Sequence, residues 1–168
     1  MMKTKISIDA DDLKITLRGI TDALTDLRPA WKDVHNIFME FEKKVFETEG
    51  GYASADWEPL NPAYAAYKER TYGSKTIMRR SDRLYKSLTS ASHSEHYYQS
   101  GPSFMEVGTR TLYARAHHFG YEKIDLPSRL LIPKFTREEG ERVVDAIMIH
   151  LFKSSRSGLR EGKREISR

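Results

Sequence analysis

The sequence predicts an α+β domain in which N- and C-terminal helices pack on one face of a small, mostly antiparallel sheet. Three observations carry that expectation. Apolar residues recur at helical spacing near both ends of the chain, the period shortens to two between about residues 89 and 108, and clusters of Gly, Pro and Ser separate the periodic stretches.

Taken in order, Lys3 to Ile8 alternates polar and apolar residues, a short strand signal. Asp9, Asp11 or Asp12 then caps a helix in which Leu13, Leu17, Ile20, Leu24 and Leu27 share one side. Pro29 ends that helix and suits the first turn of a second, with Trp31, Val34, Ile37, Phe38, Phe41 and Val45 on one stripe. The two stripes are expected to pack on each other, the alternative being that Leu27-Arg28-Pro29 only kinks one long helix. Gly50-Gly51 stops the second helix, and Tyr52 to Pro62 reads as an ordered loop anchored by Trp57. A short helix follows over the tyrosine- and alanine-rich Asn61 to Arg70, and another, capped by Ser81 or Asp82, carries Leu84 and Leu88.

Alternation from Thr89 to Gly108 around the turn Ser100-Gly101-Pro102-Ser103 predicts a hairpin. Leu112 to Phe119 reads as a short helix stopped by Gly120, and Arg129 to Ile132 as a strand between two prolines. Thr136 with Glu139 forms a capping box that opens a last helix with Val143, Val144, Ile147, Met148 and Leu151. One domain is expected over residues 1–153. Residues 154–168 have no apolar period and read as a basic, disordered tail.

Composition narrows the function classes. The chain has no cysteine, which excludes disulfides, thiolate metal sites and cysteine nucleophiles. No stretch approaches a membrane span and the N-terminus lacks a signal-peptide core, so a soluble cytoplasmic protein without membrane contact is expected. The net charge of +4 invites a nucleic-acid reading, but residues 153–168 hold six basic and two acidic residues, which accounts for all of it. Residues 1–152 are formally neutral.

Chemistry finds little support. His93 and His96 lie three apart in a predicted strand and point to opposite faces, His117-His118 are sequential, and His35 and His150 stand alone, so no metal or other cofactor is expected. No nucleophile elbow is present, and Gly50-Gly51 does not open a helix as a phosphate cradle would. A hydrolase using His117 or His118 would need a metal or an acidic partner beside those rings. Arg79, Arg80 and Arg83, near Tyr85, form the better nucleic-acid candidate, because cations are mixed with an aromatic.

Three clusters remain, and their residue types set shape rather than carry protons. They are Trp57, Pro59 and Leu60 with Lys68; Tyr113-Ala114 with His118, Phe119 and Gly120; and Pro127 with Arg129, Leu130 and Leu131. In this order, across about residues 30–152, they resemble the phage virion morphogenesis family, which includes tail-completion proteins of Mu-like and related contractile-tailed phages. One departure stands out: where the family often carries an apolar residue and Thr-Gly before the leucine of the short helix, this chain has Arg80-Ser81-Asp82.

The resemblance implies a non-enzymatic structural protein of tail completion and head-tail joining, encoded by a phage or prophage. It implies a ring-forming homo-oligomer that meets tail-tube, tail-terminator or head-connector proteins, in the host cytoplasm during assembly and then in the virion. Trp57, Pro59, Leu60, Lys68, Tyr113, His118, Phe119, Gly120, Pro127 and Arg129 are then the candidate interface or structural residues. The alternative is a small nucleic-acid-binding adaptor using Arg79, Arg80, Arg83 and the basic tail.

Overall fold

In a computed structural model that describes residues 10–73 and 76–166, with side chains of the last helix as far as Ser154, the chain is α+β. Helices α1 (Ala10–Thr25), α2 (Arg28–Glu47), α3 (Pro62–Tyr72) and α4 (Arg83–Thr89) precede a hairpin of β1 (His96–Ser100) and β2 (Met105–Thr109). Helix α5 (Ala114–Phe119), a 3-10 turn at Glu122–Ile124 and helix α6 (Arg137–Ile166) follow. The strands are antiparallel, with His96 opposite Thr109 and Ser100 opposite Met105.

A strand sends alternate side chains to opposite faces, and the hairpin uses the two differently. Tyr97 and Glu106 hydrogen-bond each other in solvent at 2.9 Å. On the other face, the Tyr98 ring stacks on His35 of α2 at 4.4 Å, and Met105 packs with Val34, Ile37 and Ala146, so α2 and α6 cover it. Helix α4 packs against both strands as well.

The core is built on α2. Pro29 sits in its first turn as expected, and Phe38, Phe41, Val45 and Phe46 meet Trp57, Ile77, Leu84, Leu88 and Leu131 in one buried cluster. Phe41, Val45, Phe46 and Leu88 are fully buried. Each such side chain removed from water contributes roughly 1.5–3 kcal/mol, so this one helix face carries a large share of the apolar stabilisation.

Two packing expectations change. Helix α1 lies along α6 rather than folding back on α2. Its buried side runs through Ile15, Gly19, Ile20 and Ala23, where small residues permit close approach, and Leu13, Leu17 and Leu24 are left about half exposed. Periodicity shows that a helix has an apolar stripe but not which of several stripes it meets. The segment Arg129 to Ile132 is not a strand; the single bridge nearby joins Tyr121 to Leu126. Its backbone groups go elsewhere: Arg129 N–H donates to His117 O at 2.7 Å, Leu131 N–H to His118 Nδ1 at 3.2 Å, and Leu130 O accepts the Trp57 indole N–H at 3.0 Å.

Smaller differences follow the same logic. β1 starts at His96, so His93 lies in the preceding turn instead of sharing the strand. Asp82 takes the position before α4 but does not cap it by its side chain, which accepts from Arg79 Nε at 3.0 Å instead. The α6 backbone runs on to Ile166, through the stretch assigned from sequence to a disordered tail. The expected strand at Lys3 to Ile8 lies outside the described residues.

Candidate functional site

The three sequence clusters converge. Gly50 makes the first bend possible: its φ is +92°, and a Cβ there would stand 2.0 Å from the Ala55 carbonyl oxygen. The bend returns the chain so that Trp57 N–H donates to Glu49 O at 2.8 Å and the indole sits edge-on to Phe46, centroids 5.1 Å apart. Trp57 is therefore a core anchor. Beyond it, the carbonyls of Glu58 and Pro59 accept from Arg129 Nε and Nη2 at 2.9 and 3.3 Å. The first cluster is thus tied to the third by a buried guanidinium.

The second cluster is tied to the third from the other side. His118 O accepts from Ser128 Oγ at 2.8 Å, complementing the bonds from Arg129 and Leu131 to the end of α5. Gly120 lies at φ +77°, with a Cβ position only 3.0 Å from Leu126 O and Ser128 N, so the chain turns tightly there. From this turn a closed loop projects, held by reciprocal Tyr121–Leu126 backbone bonds of 2.8 and 3.1 Å. Pro127 lies half-buried at its base, while Phe119 and Ile124 on it are 71% and 68% exposed.

Between these ties lies a cleft of about 310 Å³. Leu60 and Tyr64 form one wall, Met78, Arg80 and Arg83 another, and Tyr113, His117 and Arg129 a third. Lys68 joins them from α3, of which it is the only buried residue, and donates to Thr76 O at 2.6 Å. The cleft therefore unites Leu60, Lys68, Tyr113 and Arg129 of the clusters with Arg80 and Arg83 of the nucleic-acid candidates. Arg79 is elsewhere, over the Tyr85 ring at 4.0 Å and paired with Asp82.

The cleft is electropositive. Lys68, Arg80, Arg83 and Arg129 line it, and no Asp or Glu does among the described residues. Burial pushes the Arg129 guanidinium below its ordinary value, against the opposing pull of Glu58 and Glu49. Burial likewise lowers His117, helped by Arg129, and lowers His118. His117 Nδ1 is buried with no hydrogen-bond partner, and His118 Nδ1 accepts from a backbone amide. Neither ring has a carboxylate partner among the described residues. No group of three His, Cys, Asp or Glu among those residues could hold a metal, and no described helix is long and apolar enough to cross a membrane.

The site therefore consists of tied-down loops around a cationic recess. Residues 8–152 match the phage virion morphogenesis family. The chain belongs to that family. Membership gives a role in phage virion assembly, and it reaches over α1, further toward the N-terminus than the three clusters. No curated protein and no solved structure matches the chain. Asp82, just before α4, lies at φ +58°, in the left-handed region that a non-glycine residue rarely adopts.

Sequence reasoning singled out neither Ile77 nor Met78, read Ser81 only as a helix cap, and weighed His117 only as a metal ligand or a catalyst. No local signal marks them, because the lining comes from four stretches of chain.

Proposed function

We propose that this virion assembly protein acts in tail completion and head-tail joining, as a ring of identical subunits and without catalysis or a cofactor. The observation that carries the reading is the pairing of exposed apolar side chains with rigid backing. Leu112, Phe119 and Ile124 are 93%, 71% and 68% exposed, yet their segments are tied to the core through Thr111, His118, Arg129 and the Tyr121–Leu126 bonds. Large apolar residues held in water on ordered loops fit partner contacts, since burial against a partner recovers their hydration cost with little ordering entropy. Its partners are further copies of itself and tail-tube, tail-terminator or head-connector proteins, met first in the host cytoplasm and retained in the virion.

Sedimentation of the purified chain over a concentration series, alone and with tail-tube or connector protein, tests this. A closed oligomer of fixed size, or one formed on adding a partner, supports it. A chain that stays monomeric and binds none of these proteins defeats it. The nucleic-acid alternative is weakened by the fate of its arginines, because Arg79 is spent on Asp82 and Arg83 on Glu95.

A further inference from the structure

The cleft and the projecting loop are complementary, and they share no lining residue. The loop carries Glu122 and Asp125 beside Phe119 and Ile124, and neither acid has an ion pair among the described residues. Asp125 stands at the loop's end with φ +50°, fixed by the Tyr121–Leu126 closure rather than free to wander. The cleft is lined by four cations, of which Arg83 is already paired with Glu95, together with the apolar Leu60 and Ile77, and it is at the small end of sizes that hold a ligand. It has room for one or two side chains.

We propose that the cleft receives the Phe119–Leu126 loop of a second copy of this chain, a carboxylate of Glu122 or Asp125 meeting Arg80 and Arg129 while an apolar neighbour seats beside Leu60. This deepens the ring reading and rests on it. Knob and socket are different patches of one subunit, which allows a head-to-tail contact, the kind that closes into a ring when the rotation permits. Arg129 has donors to spare, two of its five N–H groups being used on the Glu58 and Pro59 carbonyls. A nucleic-acid phosphate is the poorer occupant. Lys68 and Arg129 are only 3% and 4% exposed, and cations sunk in a recess suit an inserted side chain better than a backbone tracked along a groove.

The test is a charge swap on the full chain, read by sedimentation velocity. Arg80 and Asp125 are both exposed, so Arg80→Glu and Asp125→Lys leave the core intact, and unchanged thermal melts check that. Each alone should weaken self-association at least ~10-fold, and the double variant should recover most of it. As a second measurement, subunit addition should raise the titration midpoint of the His117 ring seen by NMR, because a carboxylate then lies beside it.

Loss in both single variants without recovery in the double overturns the pairing. Self-association that ignores both variants overturns it too, while the ring reading stands. A wild-type chain that stays monomeric even with tail-tube or connector protein present brings down the ring reading itself, and this inference with it. Binding of a labelled oligonucleotide of about 20 nucleotides that is abolished by Arg80→Glu would assign the cleft to nucleic acid instead.

Discussion

Glu42 lies on the core face of α2, fully buried, with neither carboxylate oxygen hydrogen-bonded. Burial alone raises its carboxyl well above 4.5. An acid whose folded value is raised favours the folded state when protonated, so its contribution is complete below 4.5 and is lost as pH climbs from there toward the raised value. Glu42→Gln keeps the volume and removes the charge. Its stability relative to the parent should be near zero at about pH 4 and grow to about 1–3 kcal/mol by about pH 8 in urea unfolding. Parallel pH profiles for the two proteins would contradict this.

His35, two turns earlier on α2, works in the opposite sense. His96 Nδ1 faces the Ser87 carbonyl at 2.8 Å and must donate to it, so in the neutral pair His96 Nε2 accepts from His35 Nε2, 2.7 Å away. Burial, then the charge of His96, lowers His35 below 6.5. A lowered histidine supports the fold while neutral, so stability falls as pH drops below 6.5. His35→Phe, which keeps an aromatic ring against Tyr98, should flatten the stability profile on the acid side of pH 6.5 even where it lowers stability overall. Retention of the full acid slope would assign that slope to other groups.

Among the elements, the start of α6 shows how one residue can serve both a helix end and the fold. Glu139, the acid of the capping box expected from the sequence, is fully buried, and it accepts from Thr136 Oγ1, from Tyr52 Oη at 2.6 Å and from Lys44 Nζ at 3.1 Å. Burial pushes its carboxyl up, but the hydrogen bonds from Thr136, Tyr52 and Lys44 outweigh that and hold it at about 2. This lowered acid supports the fold fully above 4.5 and progressively less as pH falls toward 2. Glu139→Gln should cost about 1.5–3 kcal/mol near neutral pH, and the cost should shrink in acid. An unchanged melting midpoint at neutral pH would show that the knot does not tie α6 to α2.

The Thr136–Glu139 pairing was legible because it is local, although the two residues meet side chain to side chain rather than through the backbone N–H groups of a capping box, and the α2 stripe and the hairpin turn at Ser100 to Ser103 were legible too. The false strand at Arg129 to Ile132 fails for the converse reason. Its residues look extended, but a strand needs a partner edge, and this stretch gives its backbone bonds to His117, His118 and Trp57 instead. The partner of α1 was equally non-local, since α2 and α6 both offer apolar stripes.

At the scale of the whole molecule, the cleft escaped the sequence although His117 and six more of its residues, the latter in two separate groups, were already singled out. Leu60, Lys68, Tyr113 and Arg129 stood among the shape-setting clusters, and Arg80 and Arg83 among candidate phosphate contacts; only the fold makes them one surface. The same scale separates the cleft's charge from that of the C-terminal segment, where the formal +4 of the chain resides. If that segment engages DNA, the contact is electrostatic, and substituting Gln for Arg160, Lys163, Arg164 and Arg168 should abolish oligonucleotide retention at low salt. Each phosphate contact removed should flatten the plot of log affinity against log salt by about 0.7 for a single strand, so the slope counts how many of the four take part. Self-association should be untouched by the same substitutions, because the docking proposed for the cleft uses none of these residues. Retention that survives the tail variant but falls with Arg80→Glu would move the nucleic-acid contact into the cleft and displace the subunit loop from it.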